Sequence, residues 1–351
     1  MKIFRFALKI PPALGGMENH ILELTKHQIN TGHKVNLFFN SGDAQGDNFI
    51  KIIKFPLYKL KPQFIGVLFF YSSLLIRFLK TRDTADIIHL HGDWSSLVFL
   101  YPLKRLTKAK AVFTIHDEIS ENNIYKFLMR MFLRNVDIIL VTGYQINSQL
   151  KKICDKKVIV QPSGINDLFF KENQNKYKST KQIRVLTVAR FVEKKNIDYV
   201  LEIASYRPKL KFTIVGGGPE KERLINLIEL KKLSNVEIKN ERSKEELYDI
   251  YHQHDIFLLT SIKEGTPTVL FEAMACGLPF VYSNAGKVNK YITSKNIFLS
   301  QTSSINDYLD SIDRLSKDDK LRHKISSQNK KEAKNYSWPI IAKKINQLYE
   351  M

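Results

Sequence analysis

A chain of 351 residues, 44% of them hydrophobic, is long for one core and comfortable for two, and it is too apolar to be disordered. Fifty-five basic against 35 acidic residues leave a net charge of +20, which calls for an anionic partner (nucleic acid, a phosphorylated substrate, an anionic membrane surface) unless it merely follows from a Lys-rich composition. Two cysteines, Cys154 and Cys276, exclude a disulfide framework and lack metal-ligand spacing, as expected in a reducing cytoplasm.

The opening KIFRFAL has the make-up of a strand and is too short and charged for the apolar segment of a signal peptide. A helix from about Glu18, closed by Gly32, leads into the strand KVNLFF. The longest apolar stretch, PQFIGVLFFYSSLLIRFL, is broken by Arg77 and falls short of the roughly 20 residues a bilayer span needs, so a soluble protein is expected. Strand-like ADIIHL, AVFTI, VDIILV and KVIV follow, with helical stretches between them. NDLFFKENQNKYKSTKQ, polar in its second half and without periodicity, is the expected linker. The alternation then restarts with IRVLTVA, KFTIVGGG, VEIKN, DIFLLT and LPFVYS. Such alternation predicts an α/β protein of two doubly wound, Rossmann-like domains facing across a cleft, each a parallel sheet with helices on both faces.

Ligands of open α/β sheets bind at the carboxyl ends of the strands, and the chemistry-bearing stretches lie there. IVGGGPE, with Gly217 at its centre, lets a ligand approach the backbone or simply makes a tight turn; it is not a nicotinamide fingerprint, whose last glycine is here Lys221. Arg190 and Lys195 in RFVEKKN suit a pyrophosphate, or form a solvated charged loop. IIHLHGD places His89 and His91 at i, i+2, a spacing that can hold zinc, but no third ligand stands at a suitable distance along the chain. His116 ends an apolar strand and is read as a hydrogen-bonding group for a hydroxylated or phosphorylated ligand. In EGTPTVLFE a helix starts at Gly265, Thr266 and Pro267, with Glu264 before it and Glu272 about two turns in. Glu264 stands at a strand end and not in a core, so its loss is expected to cost turnover more than folding. The pair reads as two acceptors for vicinal hydroxyls, or as a helix-start acid plus a glutamate beside the core.

Taken in order, GGMENHILELTKHQINTGHKV, TIHD, QPSGIND, RFVEKKN, VGGGPEKERL and EGTPTVLFEAMACGLPFV resemble the family 4 retaining glycosyltransferases of the GT-B fold, over nearly the whole chain. EGTPTVLFE resembles that family's E-x7-E motif, and NYSWPIIAKKINQLYE is similar to its last helix, which crosses back to the N-terminal domain. The resemblance implies an N-terminal acceptor-binding domain over 1–170, a C-terminal nucleotide-sugar-binding domain over 171–335 and a returning helix over 336–351. It implies that Glu264 contacts the transferred sugar and Glu272 the ribose, that Arg190 and Lys195 neutralise the diphosphate, and that Gly16 nears the phosphates. His116 matches a histidine at the reacting centre. Gly217, Gly265, Thr266, Pro267, Thr268 and Val269 complete the implied donor site. Asn240 and Asn289 or Lys290 depart from the family pattern, which puts one ribose or phosphate contact in doubt.

The expected activity is transfer of a sugar, with retention, from a UDP- or GDP-linked donor to a hydroxyl of a glycan or lipid-linked glycan, without metal or other cofactor. Bacterial surface polysaccharide or lipopolysaccharide synthesis is the expected setting. A nucleotide-sugar 2-epimerase shares the fold but needs extra carboxylates at the sugar, and a nucleic-acid binder needs a reading motif that is not evident. Lys126, Arg130 and Arg134 recur every four residues beside Phe, Leu and Met, and Lys104, Arg105, Lys108 and Lys110 lie in the same domain. They give the cytoplasmic protein a surface for anionic membrane, or else the apolar band packs on the sheet and the cations are solvated.

Overall fold

The computed structural model describes residues 1–12, 15–53, 55–172, 182–293, 296–299 and 303–351; the rest of the expected linker, 173–181, lies outside them. The chain divides into two compact units, Met1–Gly164 with Trp338–Met351, and Ile165–Ser337.

The first unit contains β1 (Lys2–Lys9), α1 (Gly16–Asn30), β2 (Lys34–Ser41), β3 (Phe49–Lys51), α2 (Gln63–Thr81), β4 (Ile87–His91) and α3 (Leu100–Thr107). It continues through β5 (Lys110–Ile115), α4 (Asn123–Leu133), β6 (Ile138–Val141), α5 (Tyr144–Leu150) and β7 (Val158–Val160). The strands form one parallel sheet in the order β3-β2-β1-β4-β5-β6-β7. The second unit opens with a 3-10 turn, Asp167–Phe170, which the sequence reading assigns to the first domain; its buried Phe169 packs edge-on against Tyr251 of the second unit, centroids 5.7 Å apart. There follow β8 (Arg184–Val188), α6 (Ile197–Tyr206), β9 (Lys211–Val215), α7 (Lys221–Leu230), β10 (Val236–Lys239), α8 (Lys244–His252) and β11 (Ile256–Leu259). The unit ends with α9 (Thr268–Ala275), β12 (Phe280–Tyr282), β13 (Ile297–Phe298), α10 (Ile305–Lys317) and α11 (Asp319–Ala333). Its sheet, also parallel, runs β10-β9-β8-β11-β12-β13. The returning helix α12 (Trp338–Glu350) belongs to the first unit.

Strand parity decides what each face of the first sheet carries. Phe4, Phe6, Ile88, Leu90, Phe113 and Ile115 share one core with Phe70, Leu74 and Phe78 of α2, Leu103 of α3, and Met129 and Leu133 of α4. The alternate positions Arg5, His89, His91 and Thr114 therefore turn to the opposite face, covered by α1 and α12. Helix α12 buries Trp338, Ile341, Ala342, Ile345 and Tyr349, one stripe at helical spacing, and burying Ile341 and Ile345 contributes about 1.5–3 kcal/mol each.

In each sheet the strand order reverses once, between β1 and β4 and between β8 and β11. At those reversals the loops from adjacent carboxyl ends part and leave a crevice, the place where doubly wound sheets bind ligands.

Candidate active site

In the first unit the crevice is formed by the end of β4, the start of α1 and the residue after β5. Gly16 opens α1, and a Cβ there would meet nothing within 4 Å, so the helix start is open to a ligand. His116 shares a 3.0 Å hydrogen bond with His91, and His20 of α1 shares one of 2.8 Å with Ser163. The His20 and His116 rings meet edge-on at 4.7 Å. Beneath them runs a directed chain. The fully buried Arg5 guanidinium can only donate, to Thr25 at 2.7 Å, Gln28 at 2.5 Å and the Tyr349 hydroxyl at 3.2 Å. Tyr349 then donates to His89 Nδ1 at 2.7 Å, which leaves His89 Nε2 to donate to Thr114, also at 2.7 Å.

Among the described residues the hydrogen-bond partners of Arg5 are all neutral, so dipoles compensate its charge there. Burial, reinforced by Arg5 and the neighbouring rings, holds His20, His89 and His91 well below the ordinary histidine range, and burial alone lowers His116 to about 3. The imidazoles are therefore held neutral at physiological pH, so His116 offers hydrogen-bonding nitrogens and no charge.

His20, His91 and His116 bring ring nitrogens within 4.8 Å of one another. The ligand missing along the chain is thus supplied in space by α1, while His89, the expected partner of His91, belongs to the Arg5 chain. Neutral imidazoles suit zinc by type. Against a dication stand the buried Arg5 charge and the bond that already joins His91 to His116.

In the second unit the crevice lies between the loops after β8 and β11. Arg190 is exposed there and has no ion-pair partner among the described residues. Its loop is pinned by Ala189 N–H donating to Val215 at 3.0 Å and Phe191 N–H to Gly217 at 2.7 Å. Gly216 and Gly218, at φ +156° and +147°, let the strand ends interlock: a Cβ would lie 1.9 Å from the Ala189 oxygen or 2.4 Å from the Phe191 oxygen. The glycine run is first a packing device for the Arg190 loop, and a Cβ on Gly217 would meet Glu241 at 3.0 Å.

Lys195 ends the 3-10 turn Glu193–Lys195 and forms an ion pair with Glu264, the two side chains only 15% and 7% exposed. Ser261 donates to the same carboxylate oxygen at 2.7 Å. Glu264 is thus buried, where the sequence reading placed it outside the core. Helix α9 follows Pro267 with no side-chain cap, so its first amides, at Thr268 and Val269, point out of the helix start that Gly265 and Thr266 lead into. One turn on, Glu272 accepts a 3.0 Å hydrogen bond from Tyr251 of α8, and burial raises its carboxyl while that bond and Lys244 oppose the rise.

The sequence reading named the residues at these strand ends but missed Arg5, His20, Tyr251, Ser261 and Tyr349. Strand parity could have marked Arg5 as a charge facing the same way as His89. The others are joined to the site only by tertiary contacts.

Residues 14–167 match the family model for Glycosyltransferase Family 4, and residues 169–332 that for Glycosyl transferases group 1. One human relative, a phosphatidylinositol N-acetylglucosaminyltransferase component, is 25% identical over 311 residues, which is 83% of this chain and 64% of that protein. The chain thus spans just under two thirds of that relative. Sucrose-phosphate synthase from Thermosynechococcus elongatus superposes with a TM-score of 0.86 at 19% identity, covering 99% of this chain and 98% of that one. Anabaena HepE, crystallised with UDP, superposes at 0.77 with 16% identity and complete coverage of both chains. With two Rossmann-like domains, paired family matches and strand-end loops built as described, the chain belongs to the family 4, group 1 glycosyltransferases of the GT-B fold.

Proposed function

We propose that this glycosyltransferase moves a sugar, with retention, from a UDP- or GDP-linked donor to a hydroxyl of a lipid-linked glycan, without a metal. The setting we propose is bacterial surface polysaccharide or lipopolysaccharide synthesis, in the cytoplasm and peripherally at the inner face of the cell membrane. The observation that carries the donor reading is the Lys195–Glu264 pair at the β8/β11 reversal, where Arg190 is exposed and has no ion-pair partner among the described residues. A diphosphate drawn to Arg190 competes for Lys195, and a freed Glu264 carboxylate then accepts hydroxyls of the sugar. Arg190 holds the diphosphate in fork geometry, and the uncapped amides of α9 face the charge that develops as it leaves. Glu272, oriented by Tyr251, takes the ribose hydroxyls. Neutral His116 hydrogen-bonds the sugar, and the acceptor attacks from the face the diphosphate leaves. The UDP bound to HepE and the lipid in the human relative's name support the donor and acceptor classes.

Incubating the protein with a panel of nucleotide sugars tests the reading. One UDP- or GDP-sugar is expected to raise the melting temperature and to be slowly hydrolysed to its nucleoside diphosphate. Arg190→Ala is expected to lower that catalytic efficiency roughly 30- to 100-fold, and Arg190→Lys not to restore it, since the fork is lost. Hydrolysis unaffected by Arg190→Ala removes the diphosphate role.

A further inference from the structure

Helix α2 is apolar on both of its faces. Its buried stripe, Phe70, Tyr71, Leu74 and Phe78, fills the core of the first unit, yet its opposite stripe leaves Phe69, Ile76 and Leu79 54–56% exposed. The window Phe64–Thr81 has a mean hydropathy of 1.5 and is only 28% buried. A soluble protein rarely leaves such a helix uncovered. The same division recurs on α4, where Met129 and Leu133 pack inward while Ile124, Phe127 and Met131 form a second stripe, 70%, 65% and 38% exposed. Phe64 of α2 lies 6.4 Å from Trp94, and Trp94 stacks 6.4 Å from Phe132 of α4, so the two helices flank one continuous surface.

The rim of that surface is basic. Arg130 of α4 and Arg134 just past its end are exposed, and Arg134 lines one groove with Tyr101 and Arg105 of α3 and Lys108 just past it. Arg105 lies over the exposed Tyr101 ring at 5.3 Å. Lys80 and Arg82 follow the apolar stripe of α2. Three other cations named from the sequence are otherwise engaged: Lys126 pairs with Glu121, Lys104 with Asp137, and Lys110 donates to the Tyr349 carbonyl on the opposite face.

An aromatic and aliphatic surface with a cationic rim matches an anionic bilayer in both polarity and charge. We propose that the α2–α4 face of the first unit docks in the plane of an anionic membrane, with Phe69, Ile76, Leu79, Ile124 and Phe127 inserted and Arg105, Lys108, Arg130 and Arg134 on lipid phosphates. Helix α2 does not cross the membrane, because its other face is committed to the protein core. The inference deepens the lipid-linked acceptor reading and rests on it for its purpose, not for its measurement.

Flotation of the full chain with vesicles, and no sugar substrate, tests it. Binding is expected to vesicles containing phosphatidylglycerol and not to pure phosphatidylcholine, and to be lost at high salt. Replacing Phe69, Ile76 and Leu79 together by Ser is expected to abolish binding without lowering the melting temperature, since all three are exposed. Arg105→Ala, Arg130→Ala and Arg134→Ala are each expected to weaken partitioning roughly fivefold, equivalent to about 1 kcal/mol per basic residue. Donor hydrolysis is expected to survive in every variant, which separates a failure of docking from a failure of the transferase reading. Equal binding to neutral vesicles, no binding at low salt, or a triple Ser variant that floats like the parent overturns the proposal. So does a concentration-dependent dimer that the Ser changes dissolve while vesicles are ignored, which assigns the face to a second copy.

Discussion

Lys195 and Glu264 form an ion pair with each other where their side chains are only 15% and 7% exposed. Removing one leaves the other buried and unpaired, a cost that a fully exposed pair would not carry. Glu264→Gln is therefore expected to lower both stability, by roughly 1–3 kcal/mol, and turnover. Adding Lys195→Met to Glu264→Gln is expected to return part of the stability and none of the activity. Thermal melts of the two single variants and the double variant measure this; strictly additive losses would mean that the pair is not coupled. The expectation that losing Glu264 costs turnover more than folding came from placing it at a strand end and outside a core. The structure buries it instead, against Lys195 from a turn 69 residues earlier.

At the scale of elements, α8 and α9 cooperate through Tyr251, whose hydroxyl reaches both Glu272 and the Val269 carbonyl. Tyr251→Phe keeps the buried ring and deletes one hydrogen bond to a carboxylate, so donor KM is expected to rise roughly tenfold with turnover nearly unchanged. An unchanged KM in steady-state hydrolysis removes Tyr251 from the positioning of Glu272. Periodicity exposed most of the strands and the restart of the pattern in the second unit, because each buried parallel strand is an apolar run. It passed over β3 and β13, edge strands of three and two residues whose identity comes from their neighbours. Nor did periodicity distinguish the inward and outward faces of α2, which are equally apolar. The Arg5–Tyr349 bond joins positions 344 residues apart, and local pattern carries no trace of it.

For the whole molecule, acid acts twice in the same direction. His20, His89, His91 and His116 are held neutral in the fold, His116 down to about 3, and His254 of the second unit is lowered to about 4 by burial. In the unfolded chain they protonate near 6.5, so below that pH the unfolded state binds more protons and the native state loses stability as pH falls. Each contributes up to about 1.4 kcal/mol per pH unit. The starting charge of +20 adds self-repulsion as carboxylates protonate. Chemical denaturation is expected to show stability flat above pH 7 and falling steeply from 6.5 downward; a pH-independent midpoint between 7 and 5 contradicts neutral burial.

Because α12 closes over Arg5 and His89, the first unit is made in two instalments separated by the whole of Ile165–Ser337. A ribosome takes roughly ten to thirty seconds over those roughly 170 residues. Throughout that interval the face has α1 but not α12 over it, and Arg5 and His89 lack their Tyr349 partner. The second unit, with no such debt to a later segment, is expected to mature first, reversing the usual order of synthesis and folding. Stalling translation before Trp338 and after Glu350 and pulsing each nascent chain with protease reads this out. Residues 1–164 are expected to be cut in the first chain and protected only in the second, while residues 182–337 resist in both.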